Sequence, residues 1–327
     1  MSLINNSTKW VLFLATHESM PESRHIQDLV FGVMCLEKAG IKPGDIYIYI
    51  DGDNKSLISS HFQLGTAHSY PIKDTSEFFQ DLKTYSHDNL VMFVSGHGCL
   101  DGIAATPSIS PHKLTDTLKS SPNLKHSVVY LGQCYAGTFN YMNVAPSEES
   151  PNCVIFVGAT GLHESLSIPT KEVFLESTDG YPWVANVFLL HIFKWISAPK
   201  DVDDDGKLTI IDSYKYAGFH SNMSRKDSKL SSFHFLSRSS IDLADSFKAL
   251  ESAQRAHTKC LERIQLAPNG REVLNHLAVA KGTYQNLMGA QIKYRSCEKE
   301  YIQQSSTYNV HQECWILNSI PAQSLEL

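Results

Sequence analysis

Leu90-Val91-Met92-Phe93-Val94-Ser95-Gly96-His97-Gly98 begins as an unbroken apolar run and stops abruptly at a histidine held between two glycines. A short run of this kind, rich in β-branched and aromatic residues, marks a strand covered on both faces, as in a parallel sheet. The same design returns in Val128-Val129-Tyr130-Leu131-Gly132-Gln133-Cys134-Tyr135-Ala136-Gly137, where the residue after the turn is a cysteine. Further out, Trp10–Ala15, Ile46–Ile50 and Val154–Val157 read as strands bounded by Gly, Asp, Ser or Asn. Helical periodicity fills the gaps at Ser23–Ala39, closed by Gly40, at Ser76–Tyr85, and at Trp183–Ile196 behind Pro182. The repeated strand–helix order predicts an α/β fold over residues 1–220, a mostly parallel sheet flanked by helices, with a C-terminal helical extension. Ligands of such sheets bind beyond the carboxyl ends of the strands, which is where His97 and Cys134 stand.

A cysteine and a histidine at neighbouring strand ends suit acyl chemistry. The thiolate attacks a carbonyl carbon, the imidazole exchanges the proton with the leaving amine, and backbone N–H groups receive the oxyanion. Flanking glycines let the main chain turn sharply and approach a substrate closely. Cys99 and Cys153 lack this setting and read as structural.

Gly96-His97-Gly98 followed by Gln133-Cys134-Tyr135-Ala136-Gly137 resembles the paired His-Gly and Cys-x-Gly motifs of caspases, metacaspases and legumains. The legumain branch is the most similar. Ser23-Arg24-His25 resembles its Arg-His segment, Ile46–Asp51 the strand that follows, and Val157–Ser165 the strand that ends in its Glu-Ser turn. The resemblance implies a caspase-like sandwich over roughly residues 8 to 220 and a cysteine endopeptidase performing limited proteolysis of a protein or peptide substrate. It implies that Cys134 is the nucleophile, His97 the base, and the Gly98 and Cys134 N–H groups the oxyanion hole. Arg24, Gln133 and Ser165 would line the substrate pocket, with the Arg24 guanidinium selecting Asp or Asn at P1 through paired hydrogen bonds. The chain departs from legumains at Gly132, where they carry an acid, and at Glu22, where they steady the histidine with Asn. Loss of the acid tilts the expectation from Asn toward Asp. A transamidase or ligase of the same fold, or a non-catalytic calcium-braced interaction protein, are the alternative readings.

Asp201-Val202-Asp203-Asp204-Asp205-Gly206-Lys207-Leu208-Thr209-Ile210-Ile211-Asp212 follows the D-x-D-x-D-G pattern of calcium loops. Alternate carboxylates from Asp201, Asp203 and Asp205, the Lys207 carbonyl and Asp212 would converge on a hard cation, with Gly206 allowing the turn. A structural Ca2+ is therefore expected, and no organic cofactor.

Partners are narrowed by composition. The formal net charge of −6 and the absence of clustered Lys and Arg argue against nucleic acid, and no apolar stretch has the length of a membrane span. The apolar run Trp10–Ala15 is too short for a signal peptide. Seven scattered cysteines without C-x-x-C pairs suggest reduced thiols and a cytoplasmic location. Ser221–Lys229 is polar and reads as an exposed loop open to processing, within a linker over 221–240. Beyond it, 241–327 reads as a helical hairpin broken at Pro268-Asn269-Gly270, a place for an activating or inhibiting protein to dock.

Overall fold

In the computed structural model, which describes residues 2–148, 151–174, 180–309 and 313–327, the apolar runs become a seven-stranded sheet. In chain order the elements are β1 (Thr8–Leu14), α1 (Ser23–Lys38), β2 (Ile46–Ile50), α2 (Lys55–Gln63), β3 (Ile72–Lys73), α3 (Thr75–Asp81), β4 (Asn89–Ser95), β5 (Gly98–Cys99), β6 (Gly102–Ile103), α4 (Pro111–Lys119), β7 (His126–Leu131), β8 (Cys153–Gly158), β9 (Ser167–Glu172), β10 (Tyr181–Asn186), α5 (Val187–Ser197), α6 (Ile210–Gln265), α7 (Gly270–Asn309), β11 (Trp315–Leu317) and α8 (Ser319–Ala322). The sheet order is β11-β8-β7-β4-β1-β2-β3, parallel throughout except for β11, which runs antiparallel to β8.

Alternation along the strands explains the layers. Trp10, Leu12 and Leu14 of β1 face one way and pack with α1, α5 and the first turns of α6. Val11 and Phe13 face the other way and pack with α3 and α4. Both faces are thus buried, which is why these strands read as continuous apolar runs. The expected mostly parallel α/β sheet is the architecture of the protein. Chain direction across the sheet reverses at β1, with β4 on one side and β2 on the other, and the crevice at this reversal opens at the carboxyl ends.

Three local expectations need correction. Trp183–Asn186 is strand, paired antiparallel with β9, and the helix starts at Val187 behind Asn186, whose side chain accepts the Leu189 N–H. Trp183 is drawn out of the helix because its Nε1–H donates to buried Asp28 at 3.0 Å. The stretch 221–240 is no linker, and Ser221–Lys229 is no loop: both lie inside α6. Nothing between Gly218 and Pro268 breaks a helix, and Ser232 and Ser239 return their hydroxyls to the preceding turn. Finally, 241–327 is not helical to its end. Trp315–Leu317 forms the sheet edge, and the Trp315 ring fills the space over Gly158, where a Cβ would lie 2.2 Å from it.

The chain divides into two units, one of 1–225 with 310–327 and one of 226–309. In the second, α6 and α7 pair through His257 Nδ1 and Thr283 Oγ1 at 2.9 Å and through the Phe247–Tyr294 and His257–Tyr284 ring contacts. Asn269 caps α7 by accepting the Glu272 N–H. Among the described residues, no helix is long and apolar enough to cross a membrane.

Candidate active site

The β4–β7 pairing sets the site. Val94 pairs with Leu131, and the Gly132 N–H donates to the Val94 carbonyl at 2.9 Å, so the turns carrying His97 and Cys134 leave the sheet side by side. Gly98 is the closest approach between them. A Cβ there would lie 2.0 Å from the Cys134 carbonyl oxygen, so only glycine fits. Tyr135, just after the cysteine, is held at φ 56°, a left-handed conformation costly for an aromatic residue, and its N–H is anchored on the His163 carbonyl at 2.8 Å.

His97 is fixed through Nε2, which lies 2.7 Å from Glu22 Oε1. The other oxygen of Glu22 accepts from Arg24 Nε at 2.6 Å, and Arg24 Nη1 reaches Ser167 Oγ at 3.2 Å. The Arg24 hydrogen bond is the chief reason that the Glu22 carboxyl is pulled down to about 2, with His97 adding to it. Arg24 therefore bridges the start of α1 to β9 rather than extending into solvent. Its charge is offset by Glu22, which tempers the positive pocket expected from the loss of the acid at Gly132.

Cys134 Sγ accepts the Ser165 N–H at 3.3 Å. Burial pushes the thiol up, against the opposing pull of the Ser165 N–H and Arg24. Ser165, expected in the pocket, touches the sulfur instead, while its Oγ accepts from Asn186 at 3.2 Å. Gln133 is only 1% exposed, and both of its amide atoms are buried without partners. It is closed off from solvent in this structure, and unpaired buried groups of this kind carry a cost.

Sequence reasoning missed the support beneath the site. Buried Asp28 accepts from Trp183 Nε1, from the Asn186 N–H at 3.1 Å and from Ser95 Oγ at 3.2 Å. Asn186 Nδ2 then donates to the Gly132 carbonyl at 2.6 Å, fixing the turn that carries Cys134. In the sequence His25 stands out only as part of the Arg-His segment, yet its ring lies edge-to-face with His97 at 5.1 Å, and burial pulls its pKa down. The acidic residue three positions on from His25, on the same helix face, was the available signal for Asp28.

The acidic loop brings together part of its expected set. One oxygen each from Asp201, Asp203 and Asp205 lies within 4.8 Å of the others. Gly206 has φ 80° and donates its N–H to Asp201 Oδ2 at 2.8 Å, folding the loop inward, while Asp201 Oδ1 is buried without a partner. A cluster of three carboxylates with one orphaned oxygen suits a cation. Lys215 occupies Asp203 at 2.5 Å and holds its carboxyl below the usual range. Asp212 does not fit the expected role. It is fully buried, with Oδ1 accepting the Val202 N–H and Oδ2 accepting both Thr209 donors. Thr209 and Asp212 stand as N-cap and third residue of α6, so the helix start claims the carboxylate that a calcium loop would use. Lys207 contributes its N–H to Asp205 Oδ1 at 2.9 Å, leaving its carbonyl as the candidate ligand.

Compared with known proteins, the chain matches no family model and no curated sequence.

Proposed function

We propose that the protein is a cysteine endopeptidase of caspase and legumain type, acting through Cys134 and His97. The observation that supports this reading is the contact from Glu22 Oε1 to His97 Nε2 at the end of β4, whose partner strand β7 leads to Cys134. With Nε2 engaged, Nδ1 is the ring nitrogen left to exchange a proton. The thiol proton passes to Nδ1 as sulfur bonds to the scissile carbonyl carbon. The amine leaves with that proton, and water then hydrolyses the thioester. The Gly98 and Cys134 N–H groups receive the oxyanion. Because the thiol is raised rather than lowered, deprotonation accompanies substrate attack instead of preceding it. Arg24, braced by Glu22 and Ser167, addresses an Asp or Asn side chain at P1 with its remaining N–H groups.

The test is hydrolysis of a fluorogenic peptide panel varied at P1 by wild type and by Cys134→Ala. Hydrolysis should fall by at least about 10³-fold in the variant. Equal hydrolysis by both proteins, or no labelling of Cys134 by an electrophilic peptide that wild type would bind, would sink the reading.

Asp201, Asp203 and Asp205 with the Lys207 carbonyl would hold a structural Ca2+ once Lys215 swings off Asp203. Thermal unfolding should then shift upward with calcium relative to chelator, and an unchanged midpoint would remove the ion.

A further inference from the structure

Glu22, His25 and His97 each offer a ligand atom, and the three atoms lie within 4.8 Å of one another. Glu22 and His97 take part in the chemistry proposed above. His25 does not: it is 4% exposed, and its Nε2 is buried without a partner. Its other nitrogen, Nδ1, lies 3.4 Å from Ser95 Oγ and 3.8 Å from Asp28 Oδ2. Ser95 Oγ gives its own proton to Asp28 Oδ2 at 3.2 Å and so accepts from Nδ1, which leaves the lone pair on Nε2, the tautomer of histidines that bind metals. An unpaired buried nitrogen costs stability unless something fills its place. Two imidazoles and one carboxylate suit a borderline divalent metal of the zinc class rather than calcium, which prefers oxygen alone.

We propose that Glu22, His25 and His97 form a zinc-class metal site whose occupation switches the Cys134–His97 pair off. A tetrahedral ion with bonds of about 2.0–2.1 Å spaces its donors about 3.3 Å apart, so His97 and Glu22 need only part slightly from their 2.7 Å contact. The metal takes the position of the proton between them, and the ring carries its proton on Nδ1 instead, the tautomer of a neutral imidazole bound through Nε2. Glu22 keeps its second oxygen on Arg24. Water or an incoming thiol completes the shell. With a cation on Nε2, the ring no longer accepts the thiol proton. The switching half of the proposal rests on the protease reading, whereas the metal site does not.

The test uses full-length Cys134→Ala, titrated with Zn2+ against a chromophoric chelator and with Co2+ by absorption. One metal per chain is expected, with ligand-field bands and no thiolate charge transfer. Adding Glu22→Gln or His97→Ala, both solvent-facing, should weaken binding at least 10-fold to 100-fold, with folding checked by thermal unfolding. Changing Asp201, Asp203 and Asp205 together to Asn should leave this binding unchanged. Unaltered affinity in both site variants, or loss in the loop variant, would overturn the site. In parallel, wild-type hydrolysis should stop at one bound zinc and return with chelator. Hydrolysis persisting with the site full would overturn the switch alone, and a protein that binds zinc but cleaves nothing would keep the site and lose the protease reading.

Discussion

The sheet unit and the helical hairpin spend their apolar residues in opposite ways. In the sheet unit, large rings fill the interior: Phe93 lies flat on Tyr130 at 5.3 Å and tilts against Phe193 at 4.8 Å. In the hairpin, the buried positions along α6 are small. Ser232, Ser239 and Ser246 recur every seven residues, each returning its hydroxyl to the carbonyl three residues earlier. Leu230, Phe233, Phe235, Ile241 and Phe247 stay exposed, and among the described residues of 226–309 the buried apolar side chains are Cys260 and Ala280. Small residues at a helical seam let backbones approach closely but bury little area, whereas rings burying both faces of a sheet lock their neighbours in place. The proposed pairing of Cys134 with His97 would need positions held to fractions of an ångström, and both residues stand on the second kind of scaffold.

That contrast can be broken by paired substitutions. Phe193→Ala should cost about 3–5 kcal/mol in urea unfolding, and Phe235→Ala on the hairpin should stay within about 0.5 kcal/mol. Similar losses at both would mean that the hairpin has a core of its own. Gly98→Ala reads the precision of the scaffold. Its Cβ must push the Cys134 carbonyl away, so kcat/KM should drop about 10²-fold with the far-ultraviolet dichroism intact. A fully active variant would show that the two strand ends are loosely held. The smallest effect is titration of His191. Burial lowers it from 6.5 to about 4, with Lys194 and His220 beside it. Between those values the unfolded chain takes up a proton that the folded chain refuses. Stability attributable to this group is therefore complete above pH 6.5 and is lost as the pH falls toward 4, by at most about 1.4 kcal/mol per pH unit. His191→Phe should flatten that slope, as measured by urea midpoints across the range.

Much of the candidate site is legible because its signals are local. His97, Gly98 and Cys134 announce themselves by following apolar strands, and the registers that bring them together follow from parallel pairing. Glu22 is visible only as a departure from a motif. Asp28 and Asn186, which hold the turn that carries Cys134, are 158 residues apart along the chain, and no local pattern joins them. Gln133 looks like a pocket residue from its place beside the cysteine, yet its burial follows from packing that no spacing encodes.

By itself the sequence determined the mostly parallel sheet, the strand ends that bear His97 and Cys134, the acidic turn with its glycine, and the helices on either side of Pro268-Asn269-Gly270, because apolar periodicity and turn residues act over a few neighbours. Tertiary structure alone decided that Asp212 caps a helix, that 221–240 continues α6, that Trp315 closes the sheet edge, and that His25 meets Glu22 and His97. Those outcomes turn on competition for the same donor, acceptor or space among residues distant along the chain. Only when the chain has folded is it fixed which of them wins.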